Sequence, residues 1–254
     1  MNKIKQNKIT FTLILAAIAI IFSSLTILCL PVLFNYKSKV TILEKNFYKN
    51  FKIYLKSSAN ISYKPFPKPH LLLEKASINL SQSKENDDLI NTADLKIFIS
   101  LRDIYLRTFN NLVSTEISNT NLYFDLSDIK EVRKHLYQKI NKPILFNNCK
   151  IFINGKKNEV ILIAPLKKIS YKINKKSKTK NFDINGKIFG LNFKSEWRRN
   201  YATPDQSFHS INFFNPNIEI KNIFKLKKNK KFNANTKIIY SNDKLEYDLE
   251  FNKN

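Results

Sequence analysis

Glycine is almost missing from this chain, with three in 254 residues. Phosphate cradles of the GxGxxG or GxxxxGK[ST] kind need glycine at fixed offsets, and neither pattern occurs, which excludes dinucleotide-binding and P-loop chemistry. Two cysteines, Cys29 and Cys149, cannot form a disulfide framework, and the dispersed histidines His70, His135 and His209 offer no metal-ligand spacing. Acids are scarce as well: 20 Asp+Glu against 44 Lys+Arg leave a net charge of +24. The pair Asp87-Asp88 sits in the polar turn SKENDD, where local spacing positions no second carboxylate for acid–base work. RNP, helix-turn-helix and zinc-finger patterns are also lacking, so nothing beside the charge points to nucleic acid. No catalytic residue, metal or cofactor is expected, and the chain does not read as an enzyme.

One long apolar run stands out. Ile9 to Phe34 is 26 residues without a charge, about 39 Å as a helix and enough to cross a hydrocarbon core of about 30 Å. Lys3, Lys5 and Lys8 precede it. A cleaved signal has a shorter apolar core, about 7–15 residues, and Leu28 stands before Cys29 where a lipoprotein site needs a small residue. A retained single-span anchor within residues 1–36 is therefore expected, with residues 37–254 outside the cytoplasm. Lys37, Lys39, Lys45 and Lys49 follow the span and blunt the positive-inside signal. Cys29 lies in the span and Cys149 in a strand-like run, so they should not meet; an unpaired thiol in an oxidising periplasm is safest buried.

Beyond the span, Val40, Leu43, Phe47 and Phe51 fall at helical spacing and predict a short amphipathic helix. Then period-2 alternation takes over. Leu95, Ile97, Ile99 and Leu101 alternate with Lys96, Phe98 and Ser100; Ile169, Tyr171 and Ile173 with Lys168, Ser170 and Lys172. Phe182, Ile184 and Ile188 oppose Asp183, Asn185 and Lys187, and Leu245, Tyr247, Leu249 and Phe251 oppose Glu246, Asp248 and Glu250. About a dozen such runs, bounded by turn residues, predict one long antiparallel sheet. A helix is predicted over 128–140, from the capping-box pair Asp128 and Glu131 to Lys142-Pro143. Pro65, Pro67 and Pro69 predict a rigid elbow, since proline cannot donate to a ladder. With no flexible linker, residues 37–254 read as one β-rich domain. Such a sheet must hide its apolar face by closing into a barrel, by packing on another sheet, or by curling around apolar cargo.

The order of these features resembles the N-terminal region of the AsmA family, relatives of TamB among the repeating β-groove proteins. The resemblance is carried by a span ending at Leu30-Pro31, a short polar helix, and the strand–elbow–strand ISYKPFPKPHLLLEKASINL (61–80). It continues through TADLKIFISLRDIYL (92–106), STEISNTNLYFDL (114–126), and the segments 149–173 and 182–197, which resemble hairpins with Asn-Gly turns. The resemblance implies a mainly β fold: a transmembrane helix, then a long curled antiparallel sheet forming a groove, with one or two short helices. It implies a bacterial inner-membrane protein with its bulk in the periplasm, taking part in outer-membrane biogenesis and holding phospholipid acyl chains in the groove.

On that reading the groove candidates are Leu95, Ile97, Ile99, Leu101, Ile169, Tyr171, Ile173, Phe182, Ile184, Ile188, Leu191 and Phe193. Headgroup candidates are Lys175, Lys176, Lys178, Lys227 and Lys228, in the basic runs KINKKSKTK and KLKKNKK. Those runs read first as solvated loops and only second as headgroup contacts, and Arg198-Arg199 reads as a strand end meeting water before it reads as a headgroup clamp. The alternative function is a structural or assembly factor for envelope proteins, acting through sheet-edge pairing or self-association. A membrane-tethered enzyme is the weakest reading.

Overall fold

The computed structural model describes residues 2–79, 90–125, 140, 142–155, 159–203, 205–226 and 231–252. The apolar run is helix α1, Asn2–Cys29, continued by a 3-10 turn at Leu30–Leu33. Residues Phe11–Leu33 are long and apolar enough to cross a membrane; the most apolar part of that stretch is exposed along its length, and only its end, at Pro31, is buried against the protein. Three tyrosines fasten its end. Tyr36 Oη donates to the Pro31 carbonyl at 2.8 Å, Tyr63 Oη to that of Leu28 at 3.0 Å, and Tyr105 Oη to that of Ile27. Burial raises the Tyr36 phenol well above its ordinary pKa, so it stays a donor.

Helix α2 is Val40–Phe51, with Leu43, Asn46, Phe47 and Phe51 on its buried face at helical spacing. Asn46 Nδ2 donates to the Thr108 carbonyl at 2.8 Å and holds the helix to the segment that precedes the strand at Leu112. The strands of the first half are β1 (Tyr54–Lys64), β2 (His70–Asn79), β3 (Ile90–Ile99), β4 (Leu112–Ser118), β5 (Asn121–Asp125), β6 (Ile144–Asn154) and β7 (Val160–Asn174). Those of the second half are β8 (Thr179–Ile188), β9 (Leu191–Asn200), β10 (Gln206–Phe214), β11 (Asn217–Leu226), β12 (Lys231–Tyr240) and β13 (Asp243–Asn252). The proline elbow joins β1 to β2, as the sequence implied. All thirteen strands form one open, curled sheet whose first and last strands do not pair.

Most neighbours are antiparallel hairpin partners, but β4 and β5 both run parallel to β6. Parallel pairing needs a long return path, and the chain between Asp125 and Ile144 supplies it. The helix expected at 128–140 falls almost wholly there, outside the described residues. Together β4 and β5 fill one lane between β3 and β6. The lane kinks where Asn119 and, on β6, Asn148 both take positive φ, a conformation Asn tolerates.

Strand β3 stops at Ile99 because Ser100 caps α3 (Leu101–Leu106), its Oγ accepting from Asp103 N–H at 3.2 Å. Leu101 therefore begins a helix, exposed, and does not extend the alternating strand. Burial pushes the Asp103 carboxyl up, but hydrogen bonds from Ser100, Thr108, Asn111 and the Asn110 backbone outweigh it and hold the pKa below the ordinary value.

Asn185-Gly186 is a second departure. It lies inside β8, and the hairpin turns instead at Phe189-Gly190, both with positive φ. Gly186 faces a register shift in β7, where an added Cβ would sit 2.6 Å from the Pro165 carbonyl oxygen and 2.8 Å from Leu166 Cα. Backbone cannot give way there, so Gly186→Ala should destabilise the fold by about 1–3 kcal/mol. Urea unfolding followed by circular dichroism checks this, and an unchanged midpoint would show that β7 relaxes freely.

Candidate lipid-holding face

Residues paired across strands share a face, so the register maps the sheet's two sides. The inner side of β1–β7 is a sealed core. Leu71, Leu73, Leu95 and Ile97 are fully buried there, with Ile117, Ile144, Ile169 and Tyr171 nearly so. Helix α2 contacts β1 and β4, and the buried Ile140 accepts a hydrogen bond from Tyr171 Oη at 2.9 Å. Cys149 belongs to this core, and burial pushes its thiol up to about 11. Of the twelve groove candidates, Leu95, Ile97, Ile99, Ile169 and Tyr171 are thus core residues.

The same face continues differently past β7. Row by row, β8 to β13 present Phe182, Trp197, His209, Asn222, Thr236 and Tyr247; then Ile184, Ser195, Ile211, Ile220, Ile238 and Leu245; then Gly186, Phe193, Phe213, Ile218, Tyr240 and Asp243. Ile184, Phe193, Ile211, Phe213, Ile220 and Ile238 are only half-buried, and Leu245 is 60% exposed. No described element lies over these six strands. The strip is on the order of 25–30 Å wide at ~4.8 Å per strand. Of the remaining candidates, Ile173 is half-buried on β7, and Phe182, Ile184 and Phe193 are half-buried on the strip where it meets and packs against the core; Ile188 is half-buried and Leu191 exposed at the hairpin end. Ile211, Phe213, Ile218, Ile220 and Ile238 were missed as groove candidates, although the alternation in INFF and NIEI signals them.

The outer face carries Phe208, Ile223 and Ile239 among charged residues that pair with one another. Lys194–Glu196 at 2.5 Å, Lys221–Glu219 at 2.7 Å and Lys244–Glu246 at 2.7 Å run along single strands. A cleft of about 490 Å³ opens on that side near the Asn119 kink, lined by Lys96, Glu116, Asn147 and Lys168 among others. Glu116 already accepts from Asn147 at 3.0 Å and pairs with Lys96 at 3.4 Å.

The headgroup candidates Lys175, Lys176 and Lys178 lie exposed in the β7–β8 turn, where Asn174 Oδ1 accepts from the backbone N–H of Lys176 and Ser177. This turn lies on the same lateral edge of the sheet as the proline elbow and Tyr63, which binds the anchor. Lys227 and Lys228 lie outside the described residues, as do Asp87, Asp88 and His135.

Ser195 Oγ and His209 Nε2 are hydrogen-bonded at 3.0 Å on the inner face, beside Trp197. The pair is a polar contact within an apolar strip. Burial lowers the His209 pKa, so the unfolded chain takes up its proton first as pH falls. This contribution is complete above the unfolded value near 6.5 and is lost as pH drops toward the lower folded value. Acidification through that window should reduce the melting temperature of the wild type more than that of His209→Gln, and equal slopes would remove the imidazole from account. Among the described residues no group of His, Cys, Asp or Glu could hold a metal ion.

No protein-family model and no curated protein matches this chain.

Proposed function

We propose that this is a membrane-anchored, AsmA-like protein that holds phospholipid acyl chains on the inner face of β8–β13. The observation that carries this is the change along one continuous face, sealed over β1–β7 and uncovered over β8–β13. Apolar strips this broad seldom stay in water unless something covers them. An anchor at one end and apolar lanes at the other suit a protein that receives lipid near the membrane it is fixed in. The domain does no chemistry on its cargo and acts in outer-membrane biogenesis from the periplasmic side of the inner membrane.

Mass spectrometry of lipids carried by the full chain, extracted in a mild detergent, tests the reading. Two-chain phospholipid should remain bound through purification, and a lipid-free protein that stays folded would contradict it. For topology, alkaline phosphatase fused after Asn254 should be active, whereas an inactive fusion would put the domain in the cytoplasm.

One observation favours a second reading. Residues 243–250 of β13 are exposed throughout, including Leu245, Tyr247 and Leu249, and the strand's outer edge pairs with nothing described. Such an edge can accept a strand from an envelope protein or a second copy. A defined complex lost on Tyr247→Pro, with no lipid bound, would support that role in place of lipid holding.

A further inference from the structure

Two tyrosines of the domain bond to backbone that a span would hold in lipid. Along α1 from Phe11, Ile27 lies about 24 Å away, short of a hydrocarbon core of about 30 Å. Counted back from Leu33, the other end of the apolar stretch, it lies about 9 Å in. Its carbonyl is therefore inside the core whichever end is set at the boundary. That carbonyl accepts from Tyr105 Oη, and the next one, of Leu28, from Tyr63 Oη at 3.0 Å. Carbonyls at the end of a helix run out of intrahelical donors, and hydrocarbon offers none, so the two hydroxyls supply bonds that lipid cannot.

Whatever carries those hydroxyls must follow them in. Tyr105 belongs to α3, and Tyr63 stands two residues before the proline elbow. His70 pairs with Phe98, so the elbow and α3 lie side by side on one lateral edge of the sheet. Their outward side chains mix apolar groups with cations. Phe66 is 58% exposed and Leu106 60%, Leu101 is exposed as well, and Lys64, Lys68 and Arg102 are exposed among them. The one acid of the two segments, Asp103, is buried. Toward the span the Tyr105 ring meets Phe34 edge-on at 5.7 Å, and the Arg107 guanidinium lies 4.6 Å from the centre of the same Phe34 ring. Apolar side chains bordered by tyrosine and basic residues are what a membrane–water interface favours.

We infer that this edge, the proline elbow together with α3, is a second membrane contact. Phe66, Leu101 and Leu106 enter the interface of the membrane that α1 spans, and Lys64, Lys68 and Arg102 meet its anionic headgroups. The contact continues the surface of the span and sets the elbow end of the sheet toward the bilayer. The inference rests on the anchored part of the proposed function and not on lipid holding.

The test places a genetically encoded fluorescent amino acid, one position at a time, in the full chain held in nanodiscs of phosphatidylglycerol and phosphatidylcholine. Lipid bearing a nitroxide high on its acyl chain quenches labels that touch the interface. The label at Leu15 reports the span, and at Leu106 it reports α3. At Ile163, exposed near the other end of β7, it is the control. Leu15 and Leu106 positions should lose most of their fluorescence, and the Ile163 position should keep it. Lys68→Glu/Arg102→Glu should return much of the fluorescence at Leu106, because each basic residue at an anionic surface is worth about fivefold in the docking equilibrium. Should that variant unfold, Lys64→Gln/Lys68→Gln carries the same comparison. A label at Leu106 as bright as at Ile163, with Leu15 quenched, overturns the inference and leaves the anchor in place. Equal quenching at Ile163 and Leu106 overturns it too. So does a folded charge variant quenched at Leu106 as strongly as the wild type, since the tether alone would then hold α3 near lipid. A bright label at Leu15 removes the span, and the inference falls with the anchored reading.

Discussion

Replacing Ile97 by Asp should abolish folding. Its side chain is 0% exposed, between Leu71 on β2 and Thr115 on β4, inside the core closed by α2. A carboxylate there would lie between Leu71 and Thr115, both buried, and away from water. The cost is several kcal/mol whether it ionises unpaired or stays protonated and poorly bonded. Since domains of this kind are stable by only about 5–15 kcal/mol, a loss of that size removes most of the native population. The expected result is a variant recovered as aggregate or degraded, with no cooperative thermal transition by circular dichroism. A folded Ile97→Asp would mean that water reaches the β2–β4 face and that the core there is not closed.

The same substitution only a few strands along the sheet should behave differently. Ile184→Asp and Ile220→Asp place the carboxylate on half-buried positions of the uncovered strip. The charge can keep its hydration there, so the fold should survive with a near-normal transition. Bound acyl chains would instead have to lie against an ion, and lipid carried by either variant should fall at least about tenfold. Ile220 is the cleaner site because its neighbours Ile211 and Ile238 are also half-buried. Unfolding of Ile220→Asp, with no lipid on the wild type, would mark β8–β13 as a buried core and favour the structural role.

Much of this architecture was legible in the alternation. Leu245, Tyr247 and Leu249 face one side of β13 as their spacing implied, and Val40–Phe51 is the helix that Leu43, Phe47 and Phe51 announced. Alternation reports which side a residue faces but not what lies over that side. Ile97 and Ile184 read alike in sequence, and their difference arises from α2 and Ile140, long-range partners that strand periodicity cannot encode. Local competition explains the other misses. Ser100 diverts Leu101 into a helix by capping it. Gly186 answers a close approach of β7, so the Asn-Gly pair that looks like a turn is held in a strand. The parallel pairing of β4 and β5 with β6 likewise depends on a crossover whose direction no local pattern reveals.

The central claim, that acyl chains occupy the inner face of β8–β13, is tested most directly by photo-crosslinking in intact cells. A photoreactive phenylalanine analogue placed at Ile220 faces the strip, and the same analogue at Lys221, one residue along, faces the opposite side. Irradiation should give a phospholipid adduct at position 220, identified by its mass, and little or none at 221. Equal adducts at both positions, or a protein adduct at 220 without lipid, would contradict the claim.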